Sequence, residues 1–231
     1  KAFQASQMAA REAVASYAYV TDVIVATAHE IANEELLPGG PLTGVDSLAI
    51  VAVGGYGRGE MAPYSDVDLL FLTPKGNDGR AEQLAEILLY VLWDLRLKVG
   101  HATRDVKQCL RLAQEDYTIR TSLVEMRFLV GNLGLYAALR ERLWGELFKN
   151  TAPDFIEAKL SERATRHINQ GGQRYMVEPN VKEGKGGLRD LQSLFWIAKY
   201  LYQVDHVRDL IDHGMLMEEE FDRFAAAENF L

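Results

Sequence analysis

Only one cysteine, Cys109, occurs in the 231 residues, so no internal disulfide can form and a reducing compartment is expected. A single small thiol is read as buried packing rather than as a reactive group. No apolar run approaches the roughly 20 residues of a membrane span, and the N-terminus has no basic-then-apolar leader. The expectation is a cytoplasmic chain with no membrane partner. Runs of lysine and arginine are missing too, and 25 basic against 33 acidic residues leave a net charge of −8. Nucleic-acid binding needs a basic field to displace counterions, so no nucleic-acid partner is expected. There are no internal repeats and no low-complexity tracts. The chain opens on Lys1 and stops in FAAAENFL, which reads as mid-helix; an excised part of a longer protein is expected. With 48% hydrophobic residues, the chain can fill one large or two small cores.

The most informative stretch is residues 48–72, LAIVAVGGYGRGEMAPYSDVDLLFL. Short apolar runs on either side of a glycine-rich turn predict two strands, Asp46 to Val53 and Asp66 to Leu72. In a strand, residues i and i+2 share a face, at a rise of roughly 3.3 Å per residue. Asp66 and Asp68 therefore project side by side, while Val67 and Leu69 pack the other way. Two carboxylates held that close repel each other unless a cation lies between them. Magnesium, which takes few protein ligands and the rest from substrate phosphates and water, fits that need. Gly54 and Gly55 allow the backbone to come close to a ligand, so their amides are candidates for phosphate oxygens. Taken singly, each half reads as a tight turn or as solvated aspartates. Together, with Gly55 eleven residues before Asp66, they resemble the signature of the DNA polymerase β-like nucleotidyltransferase superfamily. Two other glycine motifs fail: residues 55–59 are not G-x-G-x-x-G, and Gly184-Lys185 is followed by Gly186 rather than Ser or Thr, so it is no P-loop.

Along the rest of the chain, residues 2–37 predict one or two long helices ending at Pro38-Gly39-Gly40-Pro41. Gly79 to about Asp94 predicts another, and LRLKVGHATRDV a third strand or extended segment. Such a fold carries a third carboxylate on a later strand; Asp94 and Asp105 are the nearest, and Asp94 is preferred. A helix-end aspartate without a metal role is the alternative. His101 is read as a structural histidine. Residues 105–170 read as almost wholly helical, with breaks at Gly131-Asn132 and Thr151-Ala152-Pro153, and Trp144 and Phe148 are expected in a core. Strand signals stop near residue 108. This predicts an α+β chain: a nucleotidyltransferase domain over 1–108 with N-terminal helices and a small mixed sheet, then an all-helical domain over 109–231. A helix from Leu188 to about Tyr202 is expected to bury Leu191, Leu194, Phe195 and Ala198.

That second domain is interrupted by NQGGQRYMVEPNVKEGKGGLRDLQ, with a basic glycine-rich loop at 171–188. A long irregular loop in a compact domain is functional or disordered. Lys182 and Arg189 are candidates for closing over a triphosphate; the alternative is a linker with Arg189 paired to Glu183 or Asp190. Arg58 is likewise a candidate for phosphate or for pairing with Glu60. Ser65 is a nucleotide-binding candidate whose alternative role is to cap the turn before the strand.

GGYGRGEMAPYSDVDLLFL together with EPNVKEGKGGLRDLQ resembles the bacterial PII-protein uridylyltransferase/uridylyl-removing enzymes, over roughly residues 45–200. The resemblance implies Mg²⁺-dependent transfer of UMP from UTP to a tyrosine hydroxyl of the PII nitrogen-signalling protein, with release of pyrophosphate. It places nucleotide and metal binding on Gly54, Gly55, Asp66 and Asp68. The uridylyl-removing activity of that family belongs to a separate hydrolase domain with a His-Asp dipeptide, and none of the five histidines here is followed by Asp. That domain and the C-terminal glutamine-sensing domains are therefore expected to be absent from this chain. The rival readings are an adenylyltransferase of the same superfamily acting on another protein, and a non-catalytic nucleotide-binding regulatory module.

Overall fold

A computed structural model describes residues 10–75, 79–169, 180–204 and 206–230. The chain divides into two compact units, Lys1–Arg142 and Leu143–Leu231.

The first unit opens with helix α1 (Ala10–Ile31), which runs into a π-turn over Ala32–Leu36. Strand β1 (Ala49–Ala52) follows, then the one-turn helix α2 (Gly54–Gly57) and strand β2 (Val67–Leu72). Helix α3 (Arg80–Asp94) crosses over to β3 (Val99–Arg104). Helices α4 (Val106–Glu115) and α5 (Tyr117–Val124), strand β4 (Arg127–Gly131) and helix α6 (Leu133–Arg142) complete it. The four strands form one mixed sheet in the order β3-β2-β1-β4. β1 is antiparallel to both β2 and β4, and β2 is parallel to β3. The predicted small mixed sheet with helices is thus present, with β1 and β2 shorter than the predicted spans 46–53 and 66–72.

Both faces of the central strands are covered, which is why they read as nearly continuous apolar runs. Ile50, Ala52, Val67, Leu69 and Phe71 join a core with Val25 and Ala28 of α1 and Leu84, Leu88 and Leu92 of α3. On the opposite face Ala49, Val51, Leu70 and Leu72 are also buried, and α6 packs on β1. Asp68 is the one ionisable residue in β2. Its position at the start of the strand leaves it half-buried.

Two expectations from the sequence are overturned. Residues 105–170 are not wholly helical, because RFLVG forms β4 and pairs with β1 from Ala49↔Gly131 to Ala52↔Arg127. The first compact unit accordingly runs to Arg142 rather than to 108. A five-residue strand whose partner lies about 80 residues earlier leaves little local signal, since its hydrogen bonds are all non-local.

The second unit holds a π-turn (Leu143–Leu147), a 3₁₀ turn (Phe148–Asn150), and helices α7 (Ala152–Asn169), α8 (Leu188–Tyr202), α9 (Asp209–Asp212) and α10 (Glu218–Phe230). Pro153 sits in the first turn of α7, where its missing amide hydrogen is not needed. Trp144 and Phe148 are core as expected, with ring centroids 4.9 Å apart. Phe155 stacks on Tyr200 at 4.0 Å. The buried face of α8 is not the expected one: Ser193, Trp196 and Tyr200 are buried, while Leu194 is 54% exposed. Aromatic stacking against α7 outweighs the aliphatic stripe in choosing the inward face. The parts of two sequence predictions covering residues 2–9 and 171–179 lie outside the described residues. Among the described residues, no helix is long and apolar enough to cross a membrane.

Candidate active site

The β1–β2 pairing sets the geometry. Beyond the last paired residues, Ala52↔Leu69, the amide of Val53 donates to the carbonyl of Asp68 at 3.1 Å. This brings the glycine turn against the start of β2. Gly54 adopts φ +59°, a left-handed conformation that favours glycine. A Cβ built at Gly54 would stand 3.4 Å from Asp68 Oδ2. The first predicted pair, turn glycine and strand carboxylate, therefore meets in space.

Asp66 lies just ahead of β2 and is exposed; Asp68 is half-buried beside it. Burial, and after it the charge of Asp66, raises the Asp68 carboxyl above its ordinary value. Neither carboxylate has a cationic side-chain partner among the described residues. The pair thus has uncompensated negative charge at the mouth of an apolar sheet, the environment that a divalent cation relieves.

Asp94 does not join them. It is the exposed last residue of α3, and no group of three or more His, Cys, Asp or Glu side chains suited to a metal ion exists among the described residues. The parallel β2–β3 register puts Gly100, not a carboxylate, beside Asp68. Asp105 instead caps α4 in a reciprocal capping box with Gln108, accepting from the Gln108 amide at 2.6 Å. His101 touches Trp93 edge-on at 6.0 Å.

Arg58 is held by two glutamates. Its Nε donates to Glu60 at 2.8 Å, the pairing weighed in the sequence, and its Nη1 to the buried Glu125 at 2.5 Å. The Glu125 contact was not foreseen, because it joins the glycine turn to the end of α5 across 67 residues. Ser65 is exposed, and its amide closes a turn onto Ala62 at 3.0 Å.

Arg127, at the start of β4, is a further residue that nothing in its local sequence singles out. It pairs bidentately with Asp22 of α1 at 2.7 and 3.0 Å and donates to the carbonyls of Tyr56 at 3.1 Å and Gly57 at 3.3 Å. One guanidinium thus ties the turn to α1. Charge-assisted bonds of this kind are worth about 1.5–3 kcal/mol each to stability. Arg127→Ala is expected to lower stability by about 2 kcal/mol and to speed hydrogen exchange at the Gly57, Arg58 and Gly59 amides. Unchanged exchange at those three amides would show that the turn holds itself.

In the second unit, the segment before α8 is tightly folded. Asn180 accepts from the amides of Lys182, Glu183 and Gly184, and Leu188 and Arg189 donate back to Val181 and Lys182. Asp190 gathers Arg166 at 2.5 Å, His167 at 2.9 Å and the Gly186 amide at 2.8 Å. Burial alone would raise its carboxyl, but these three donors outweigh burial and hold it below the ordinary range. Arg189 pairs with Glu183 at 3.6 Å and donates to Gln192 at 3.0 Å, which is the structural alternative weighed for it. Lys182 is exposed and has no ion pair among the described residues.

Residues 43–129 match the family model described as nucleotidyltransferase domain, and residues 154–231 that described as GlnD PII-uridylyltransferase. The bifunctional uridylyltransferase/uridylyl-removing enzyme of Cereibacter sphaeroides is 55% identical over 229 residues, which is 99% of this chain and 25% of that protein. The protein of that name from Ruegeria pomeroyi gives the same identity and coverage. The one from Azospirillum brasilense is 50% identical over 213 residues, 92% of this chain and 23% of that protein. The chain spans about a quarter of the length of the curated relatives it matches.

Proposed function

Because the chain belongs to the family of bifunctional uridylyltransferase/uridylyl-removing enzymes, we propose that its first unit transfers UMP from UTP to a tyrosine hydroxyl of the PII signalling protein. The observation that carries this reading is the placement of the Asp68 carboxylate against Gly54, with Asp66 beside it. Nucleotidyl transfer needs a seat for divalent metal and a close-approach backbone for phosphate in one place, and these residues supply both.

Asp66 and Asp68 would hold magnesium, because they are adjacent, mutually repelling and without a cationic partner among the described residues. When bound, the metal would neutralise charge on the triphosphate and make the acceptor hydroxyl easier to deprotonate. The tyrosine oxygen bonds to the α-phosphorus while the bond from that phosphorus to the bridging oxygen of pyrophosphate breaks; the hydroxyl proton leaves to water. The amides of Gly54 and Gly55 would face phosphate oxygens. Arg58, anchored by Glu60 and Glu125, holds the turn in shape beside them. The removing activity in the relatives' name is not proposed for these residues, since no histidine here is followed by Asp.

The test is pyrophosphate release by the full-length protein given PII, Mg²⁺ and either UTP or ATP. Release with UTP alone is expected. Release with ATP alone would move the reading to an adenylyltransferase, and nucleotide binding without release would leave a regulatory module.

A further inference from the structure

Asp68 has two glycine neighbours, and the second lies outside the nucleotide turn. Residue 100 is the register partner of Asp68 across the parallel β2–β3 pairing, so the two share a face of the sheet. Gly100 is not among the glycines with positive φ, so its backbone admits any residue. What it supplies is space: a Cβ at Gly100 would overlap Asp68 Oδ1, and among the described residues, its two chain neighbours aside, no other residue's atom lies within contact distance of it. The carboxylate is therefore seated with Oδ1 over the bare Cα of Gly100 and Oδ2 toward Gly54.

From this placement we infer that Gly100 is a positioning residue for the metal site, holding Asp68 in its binding rotamer by having no side chain. The inference rests on the reading of Asp68 as a metal ligand and adds a residue to it. The obstructing atom is the free end of a side chain rather than backbone. Gly100→Ala is thus relieved by rotating the carboxylate, which leaves the sheet intact and moves the ligand.

The experiment is Mn²⁺ binding, followed by electron paramagnetic resonance, with melting in EDTA, on the full-length protein as wild type, Gly100→Ala, Asp68→Ala and the double variant. Gly100→Ala is expected to melt within about 2 °C of wild type without metal and to bind Mn²⁺ about 10–100-fold more weakly, the range for residues that orient a ligand. The double variant is expected to bind no more weakly than Asp68→Ala, because Gly100 acts only through that carboxylate. Unchanged Mn²⁺ affinity in Gly100→Ala, beside a loss in Asp68→Ala, overturns the inference and spares the metal site. Additive losses in the double variant overturn it as well. Unchanged binding in Asp68→Ala removes the metal site, and this inference with it. Should Gly100→Ala melt much lower, recovery in the double variant supports the overlap with Asp68, and no recovery overturns it.

Discussion

Asp68→Asn is expected to lower nucleotidyl transfer by about 10²–10³-fold or more, the order of losing one preorganised electrostatic contact at a reacting phosphate, while the metal-free fold becomes at least as stable as wild type. The two effects have one cause. Burial, then the charge of Asp66, raises the Asp68 carboxyl in the folded state. A carboxyl whose folded pKa lies above its unfolded value, about 3.9 for Asp, favours the native state fully below the unfolded pKa. That contribution is lost as pH rises through the folded value. At neutral pH the ionised side chain is thus a burden on the empty site, and asparagine removes it while keeping the shape. Melting in EDTA should show the variant equal to or above wild type at pH 7, with the gap closing toward pH 4 and below. Pyrophosphate release with Mg²⁺ should show the loss of transfer. Normal turnover by the variant would end the two-carboxylate model of the site; a metal-free melt well below wild type would mean that Asp68 has a structural role instead.

Gly57→Ala is expected to be the most destabilising single methyl that can be added to the glycine turn. Its Cβ would overlap the carbonyl oxygen of Glu125 and press on that of Ala52 at 3.0 Å. Both obstacles are backbone, one at the end of β1 and one after α5, so no side chain can swing aside. Overpacking of this kind costs typically 1–3 kcal/mol and at times more; about 3 kcal/mol is expected here. That corresponds to a fall of roughly 10 °C in melting temperature for a unit of this size. The turn is also fastened from both sides, by Arg58 to Glu125 and by Arg127 to the Gly57 carbonyl, so the strain has no soft outlet. An unchanged melting temperature would show that the turn and α5 separate more easily than these bonds imply. Gly57 and Gly100 are both needed for space, yet they differ in expected stability effect because one faces backbone and the other a rotatable carboxylate.

Much of the first unit is legible locally. The apolar runs around the glycine turn mark β1 and β2, and the alternation Asp66-Val67-Asp68-Leu69 sends Val67 and Leu69 into the core with the carboxylates facing away. Helix α3 is read to within one residue of its start, because its periodicity is long and its ends are marked. The expectations that failed concern partners distant in sequence. β4 has no signal apart from β1, and Glu125 and Arg127 are ordinary charged residues until the sheet folds them under the glycine turn. Asp94 drew attention by its nearness to β3, yet the crossover leaves it at a helix end and gives the place beside Asp68 to Gly100.

The sequence by itself determined the chemistry on offer: a glycine turn, two carboxylates one residue apart, and apolar strands rigid enough to present them, all set by local periodicity and backbone preference. Only the tertiary structure decided how that chemistry is held. Strand register, which depends on pairing between distant segments, chose Gly100 as the neighbour of Asp68. Long-range ion pairs, whose members carry no mark of their partners, fastened the turn to α1 and α5.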